Sequence, residues 1–399
     1  MASLMDKIIH VDVIIIGAGA AGLMCGIEAG ARGRKVLILD KSNKAGKKIL
    51  MSGGGRCNFT NLHTSPEHFL SHNQHFCKSA LSRYTQWDFI AMVERHKIAY
   101  FEKTLGQLFC EDKSALIVNM LLTECTRKQV DVQLNQTIDA VKKIDNYFIV
   151  KCNHVVYQCQ SLVVASGGLS IPTLGSSPYG YQLATQFGLA VYPTRAGLVP
   201  FTLHTQDKQR YESLTGISVD SLVSCNGQSF RENMLFTHRG LSGPAILQIS
   251  SYWNPGDDVA ISFLPDIDLY SELLKARSEF SDSFLKTILA KWLAKRLLSV
   301  FIEPDLLDTP LKQLTNKQLL TITHALQAWF IKPNATEGYR TAEVTLGGVD
   351  CNEISSQRFE AKKVPGMFFI GEVLDVSGWL GGYNFQWAWS SGWAAGQVV

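Results

Sequence analysis

No pair among the nine cysteines, at positions 25, 57, 77, 110, 125, 152, 159, 225 and 351, has C-x-x-C spacing. That absence excludes a zinc ribbon and a thioredoxin-like redox pair. Free thiols in a reducing compartment are the simplest account, so the expected location is the cytoplasm. There is also no run of about 18 uncharged apolar residues, the least a membrane-spanning helix needs, and no membrane association is expected. Residues 13–24 are apolar enough to suggest a signal segment, but their glycines break the run and a first strand explains it better. Neither sign of charge dominates. The net value is +3 and the pI near 8.3, which neither demands nor excludes a nucleic acid partner. His63, His68, His72 and His75 crowd together without the spacing of a metal site, so solvated loop histidines and no metal are the expectation. Internal repeats and low-complexity tracts are absent, and nothing fixes an oligomeric state.

The strongest signal present is residues 10–40, HVDVIIIGAGAAGLMCGIEAGARGRKVLILD. Residues 11–16 form a β-branched apolar run, long enough for one buried parallel strand and too short for a helix. The run meets Gly17-Ala18-Gly19-Ala20-Ala21-Gly22, which fits G-x-G-x-x-G. Gly17 permits the tight turn, Gly19 lets the backbone approach a pyrophosphate, and Gly22 lets the next helix pack on the strand. That helix starts at Ala20 and Ala21, and its free N–H groups and partial positive charge face the phosphates. A second apolar strand over residues 35–39 ends in Asp40 and Lys41, about where an acid binds a ribose hydroxyl. An acid rather than an arginine there favours FAD or NAD over NADP.

Next comes a loop of unusual chemistry, with Gly46, Lys47 and Lys48, then Ser52, Gly53, Gly54, Gly55, Arg56, Cys57 and Asn58. Three consecutive glycines followed by Arg-Cys-Asn can lie flat against a planar group, and long ordered loops usually carry function. Residues 66–127 read as largely helical, with helical spacing at 89–96 and 114–127. A β-meander follows at 132–134, 137–144, 147–151 and 155–158. A buried strand at 161–165 then runs from Ala165 into Ser166-Gly167-Gly168, a second glycine turn of the kind a dinucleotide fold needs. From about residue 191 to 265 short alternating strands suggest a small barrel or sandwich. His238, beside Arg239 and before a Gly-Leu-Ser-Gly-Pro turn, is a candidate for substrate contact. Residues 266–330 read as helices, with an apolar face from Phe284 to Phe301 interleaved with lysines. A last short strand at 367–370 ends in Gly371 and Glu372, and Gly381, Gly382, Tyr383, Asn384 and Phe385 lead into a final helix. A Gly-Gly turn opening a helix presents a positive end to an anionic ring edge, such as that of a reduced flavin.

The strings Gly46-Lys47-Lys48 with Ser52-Gly53-Gly54-Gly55-Arg56-Cys57-Asn58, Leu235-Phe236-Thr237-His238 with Gly240-Leu241-Ser242-Gly243-Pro244, and Gly371-Glu372-Val373-Leu374-Asp375 with Gly381-Gly382-Tyr383-Asn384 together resemble the BaiN/YhiN-like flavoproteins. Members of that family are described as aminoacetone-oxidase-family or NAD(P)/FAD-dependent oxidoreductases. The resemblance implies an α/β fold: a Rossmann-like FAD-binding domain of glutathione-reductase type with an inserted β-barrel domain carrying a helical subdomain. Its implied boundaries are residues 1–190 and 347–399, then 191–265 and 331–346, then 266–330. Ser166 stands where the family turn usually has Thr, and Pro178-Tyr179 interrupts a segment usually richer in Gly. By the resemblance, Gly17, Gly19 and Gly22 hold the pyrophosphate and Asp40 the adenosine ribose. The Gly53–Asn58 stretch lies beside the isoalloxazine, Glu372 near the ribityl chain, Gly382–Phe385 at the pyrimidine edge, and the Ile138 backbone at the adenine.

Three readings of function follow. The main one is an FAD-dependent oxidoreductase that passes a hydride from NAD(P)H or a reduced substrate to an electron-poor small molecule. With only one dinucleotide fingerprint and no C-x-x-x-x-C disulfide, NAD(P)H must visit the flavin transiently. Cys57, Tyr179, His238 and Tyr383 are candidate proton donors. The second reading changes the substrate to an unsaturated base in RNA. The third is a non-catalytic FAD-binding scaffold.

Overall fold

A computed structural model describes residues 8–399, and the chain divides into two compact units. The first runs to Arg195 and resumes over Val344–Val399, and the second is Ala196–Glu343.

In the first unit the apolar runs become β1 (Val13–Ile16) and, after helix α1 (Ala20–Ala31), β2 (Val36–Leu39). An antiparallel strand β3 (Asn58–Asn61) lies outside their sheet. The parallel sheet is completed by β4 (Asp131–Gln133), β5 (Ser161–Val164) and β6 (Met367–Phe369), in the order β6-β5-β1-β2-β4. Every residue of β1 and β2 is buried, as expected for strands covered on both faces. Met367, Phe368 and Phe369 pair in parallel with Leu162, Val163 and Val164, so a strand from the C-terminal segment completes a sheet begun near the N-terminus. The final helix, α2 (Tyr383–Gly396), then packs on α1. That contact is at backbone distance. A Cβ on Gly392 would sit 2.4 Å from the Ala21 carbonyl oxygen, and one on Gly396 would sit 2.5 Å from Glu28 Cβ. Arg32 fastens the terminus further by donating to the carbonyls of Gly396 (3.0 Å) and Val399 (2.9 Å).

Two local expectations need correction. Residues 132–134 do not belong to the meander, because Asp131–Gln133 pairs in parallel with β2 after the helix Ala115–Arg127. The stretch 66–127 is also less helical than its periodicity suggested. Tyr100–Glu102 and Gln107–Cys110 form a hairpin that extends β3 into a three-stranded antiparallel sheet. Its turn places Leu105 and Gly106 at φ 51° and 75°, and a leucine gives no sequence signal for that conformation. The three remaining meander strands are present, with Ile8–His10 added at their edge.

The second unit holds a seven-stranded sheet, and its helices include Leu269–Glu279 and Asn316–Gln327. The apolar face read across residues 284–301 is broken into two helices, Leu285–Leu289 and Lys295–Phe301. Among the described residues no helix is long and apolar enough to cross a membrane.

Candidate functional site

The site begins where β1 ends. Gly17, at φ 115°, turns the chain so tightly that a Cβ there would lie 2.4 Å from the Ala165 carbonyl oxygen. A Cβ on Gly22 would lie 1.9 Å from the Gly17 carbonyl oxygen, so both positions are glycine for packing. Gly19 differs, since no protein atom lies within 4 Å of where its Cβ would be. It is the N-cap of α1, with no side-chain cap and no acid in the first turn. The helix therefore presents uncapped N–H groups beside open space, as an anionic diphosphate requires.

Asp40 sits at the end of β2, where it accepts from Ala18 N–H (2.6 Å) and Ser42 N–H (2.6 Å). Each of its carboxylate oxygens keeps a second acceptor site for a hydroxyl. Lys41 is exposed beside it. Residues 133–136 bond back to this turn through Gln136 N–H to the Asp40 carbonyl (2.9 Å), and Ile138 opens the next strand half-buried. Ala165 continues β5 into Ser166 and Gly167, and the buried Ser166 Oγ has no hydrogen-bond partner among the described residues.

The glycine loop is held in a conformation that few other residues adopt. Gly53, Gly54 and Gly55 lie at φ 57°, 65° and 86°, with Cys57 following at φ 50°. Gly54 and Gly55 face open space, and the Lys47 and Arg56 side chains pair with no side chain among the described residues. Ser52 Oγ donates to the Ile49 carbonyl (2.8 Å), which closes the preceding helical turn. Asn58, in the amide orientation that satisfies its neighbours, donates to the Leu108 and Thr60 carbonyls and accepts from Gly382 N–H at 3.1 Å. Further bonds tie β3 to α2. Thr60 Oγ1 donates to Gln386 (2.6 Å), Asn61 donates to the Gly381 carbonyl (2.9 Å), and Trp389 Nε1 donates to the Phe59 carbonyl (2.8 Å). The loop and the start of α2 are thus one rigid frame. Gly381 and Gly382 take φ 114° and 98°, and Asn384 clamps the preceding turn through Gly378 N–H (2.8 Å). Phe385 stacks on Trp389 at 5.7 Å.

Several sequence assignments change on this frame. Glu372 faces protein donors on all sides. Lys48 Nζ (2.6 Å) and Gly168 N–H (3.3 Å) bond one oxygen, and Thr345 N–H (3.0 Å) and Ser170 Oγ (3.2 Å) bond the other. Those four bonds make it the brace of the turn after Gly371. Cys57 is fully buried and its thiol is pushed well above the ordinary range by that burial, which removes it as a group touching substrate. Tyr179 is half-buried and its hydroxyl is pushed up to about 12 by burial, then by the charges of Cys152 and Asp139 on the meander. It therefore belongs with the Ile138 strand. His238 lies in the second unit, exposed in the turn between Gln228–Phe236 and Gly240–Ser242. Tyr383 is buried at the start of α2, its ring 4.8 Å from His68.

From sequence Lys48 reads only as a loop charge and His68 only as a solvated loop histidine, and Ser170 and Thr345 carry no assigned role. Lys48 and Glu372 are 324 positions apart, and no local pattern announces such a pair. Among the described residues no three His, Cys, Asp or Glu side chains converge, the histidine cluster included. Instead His72 Nδ1 pairs with the buried Asp375 at 2.8 Å, and its ring stacks on Tyr192 at 3.8 Å.

A family model described as the HI0933-like protein Rossmann domain matches residues 11–398. The chain belongs to that family. This HI0933-like chain is 56% identical over 388 residues, 97% of each chain, to the ribosomal RNA dihydrouridine synthase of Escherichia coli K12. It is 49% identical over 387 residues, 96% of each chain, to the protein of the same name from Haemophilus influenzae. Among solved structures, the 3-ketosteroid-Δ4-(5α)-dehydrogenase of Rhodococcus jostii RHA1 matches over 99% of this chain and 98% of its own. The TM-score there is 0.50 at 14% identity, a likeness of fold alone. The HI0933-like chain is a mixed α/β protein with a Rossmann-type FAD-binding domain, and it is an FAD-dependent oxidoreductase. The residues present fit that cofactor: open space over Gly19, an uncapped helix start, a partnerless Ser166 hydroxyl and bare glycines at 54 and 55. The two relatives are named for a reaction on ribosomal RNA and not for aminoacetone oxidation.

Proposed function

We propose that this protein reduces a uridine in ribosomal RNA to dihydrouridine, with NAD(P)H as the transient electron donor. The observation that carries the reading is 56% identity along 97% of both chains to a protein named for that reaction. The net conversion adds one hydride equivalent and one proton across the C5=C6 bond of the base. FAD, when bound, supplies the two-electron exchange.

The chain's own residues do the rest. Gly19 with the start of α1 would bind the diphosphate, Gly17 and Gly22 making the tight turn and close packing that bring it there, and Asp40 takes the adenosine ribose. Gly53–Asn58 and Gly382–Phe385 would hold the ring from two sides, their separation fixed by the Asn58, Thr60 and Asn61 bonds. Glu372 acts through Lys48 to fix the Ser166–Ser170 turn. The Tyr383–His68 pair, with Ser65 Oγ 3.1 Å from His68 Nδ1, is our assignment for the groups that hold a proton near the start of α2.

Anaerobic incubation of the holoenzyme with NADH or NADPH and ribosomal RNA from a strain lacking its gene tests this reading. Nucleoside mass spectrometry should detect a uridine gaining two hydrogens at a discrete position. Flavin reduction without any gain in dihydrouridine would overturn the substrate assignment.

A further inference from the structure

The second unit carries a cavity lined by none of the cofactor-frame residues described above. It has a volume of about 400 Å³. That falls in the range of about 300–1,000 Å³ typical of ligand pockets. Its inner wall is aromatic: the Tyr211 ring lies 5.1 Å from Trp329 and 5.6 Å from Phe301. At its mouth stands Phe330, on the edge strand Trp329–Ile331 and 66% exposed. Single exposed apolar side chains are ordinary. A phenylalanine at the rim of an aromatic-walled hollow, on a strand edge open to pairing, is a liability unless something covers it.

The charges around the hollow say what does. Arg210 lies over the Tyr211 ring at 5.4 Å and pairs with no carboxylate among the described residues. Lys332 lies 4.0 Å from Asp258 and also interacts with the charge of Asp257, both outside the lining of the hollow. His324 also faces the hollow, and the one acid lining it is Asp207. Two permanent cations against one lining acid, with an aromatic ring free for stacking, match an unpaired nucleotide and its phosphates. An acidic peptide would use the cations but leave Phe330 uncovered.

We infer that this cavity is a docking site for a single-stranded nucleotide of the RNA substrate, stacked on Phe330 and held by Arg210 and Lys332. The inference rests on the RNA reading above and adds a second contact outside the flavin-binding unit. Stacking would give affinity with little sequence preference, and the cations would make it salt-dependent.

The test uses the FAD-loaded full chain and labelled oligouridylate, with its duplex with oligoadenylate and polyglutamate as competitors. Phe330→Ala should weaken oligouridylate binding roughly 5- to 100-fold. Phe330→Trp should restore it, which a merely structural role would not do. Lys332→Gln should lower the slope of log affinity against log salt by about 0.7. All three variants change exposed side chains, and unchanged circular dichroism and flavin content establish that they fold. Unaltered binding by Phe330→Ala, equal displacement by polyglutamate, or no binding by the wild type overturns the inference. Dihydrouridine formation by the wild type alongside any of these outcomes would leave the proposed reaction standing. Its absence together with absent binding would remove both.

Discussion

Among single residues, Gly19 and Gly22 look alike in sequence and differ in what surrounds them. A methyl at 22 collides with the Gly17 carbonyl, whereas one at 19 meets no protein atom. Gly22→Ala should therefore fail to yield folded protein. Gly19→Ala should unfold within about 1 kcal/mol of the wild type yet bind FAD roughly tenfold or more weakly, as urea titration and flavin titration would measure. Equal loss of stability in the two variants would contradict the reading of position 19 as ligand-facing. The fingerprint made both glycines legible, but their separate roles depend on where Ala165 and α1 come to rest. Lys48 was legible only as one positive charge in a loop. Lys48→Met strips a donor from the half-buried Glu372 carboxylate and should cost about 1–3 kcal/mol, read from denaturant midpoints. The cysteines behave as their scatter suggested. All nine are free and buried, and burial pushes every thiol up. A thiol reagent should label none of them in the native protein and all of them in denaturant. Rapid native labelling of Cys57 would return it to the catalytic candidates.

Pairs of elements depend on contacts that periodicity does not report. The β-branched runs at 13–16 and 36–39 announced parallel strands because such strands are apolar throughout. The hairpin at 100–110 stayed hidden, because its strands are three and four residues long and its turn begins at a left-handed leucine. The closeness of α1 and α2 was hidden too, though its glycines were in view. Gly392→Ala must push a methyl against the Ala21 carbonyl and should destabilise the protein by about 1–3 kcal/mol in thermal or urea unfolding. A second pair of elements predicts a pH effect. Glu124, on the helix Ala115–Arg127, accepts from His96 (2.7 Å) and Arg127 (2.8 Å). Burial pushes its carboxyl up, but those bonds outweigh burial and hold it below the ordinary 4.5. A lowered folded pKa means that the stabilisation is complete above the unfolded value and is lost as pH falls through the folded one. Glu124→Gln should therefore cost about 1 kcal/mol near neutral pH, with the gap to wild type closing in the acid range below 4.5. A gap that widened on acidification would refute this sign.

For the whole molecule, both chain ends supply one sheet and one cofactor frame, and the sequence signalled this because each end carries its own strand and glycine turn. The substrate was less legible. Net charge of +3 offered no decision between a small molecule and RNA, and the small-molecule reading came first. Identity along nearly the full length to two ribosomal RNA dihydrouridine synthases favours the second reading, and the scaffold reading gains nothing from them. The cations and aromatics of residues 207–211 and 324–332 are separated in the chain by more than a hundred positions, so no window of sequence could present them as one surface. On the proposed function this enzyme's electrons go to uridine in ribosomal RNA. The most direct test is a single turnover without any donor: photoreduced holoenzyme mixed anaerobically with ribosomal RNA that lacks the modification. RNA should speed flavin reoxidation, and dihydrouridine should form in about equal amount to the flavin reoxidised. Reoxidation indifferent to RNA, or accelerated with no dihydrouridine formed, would contradict it.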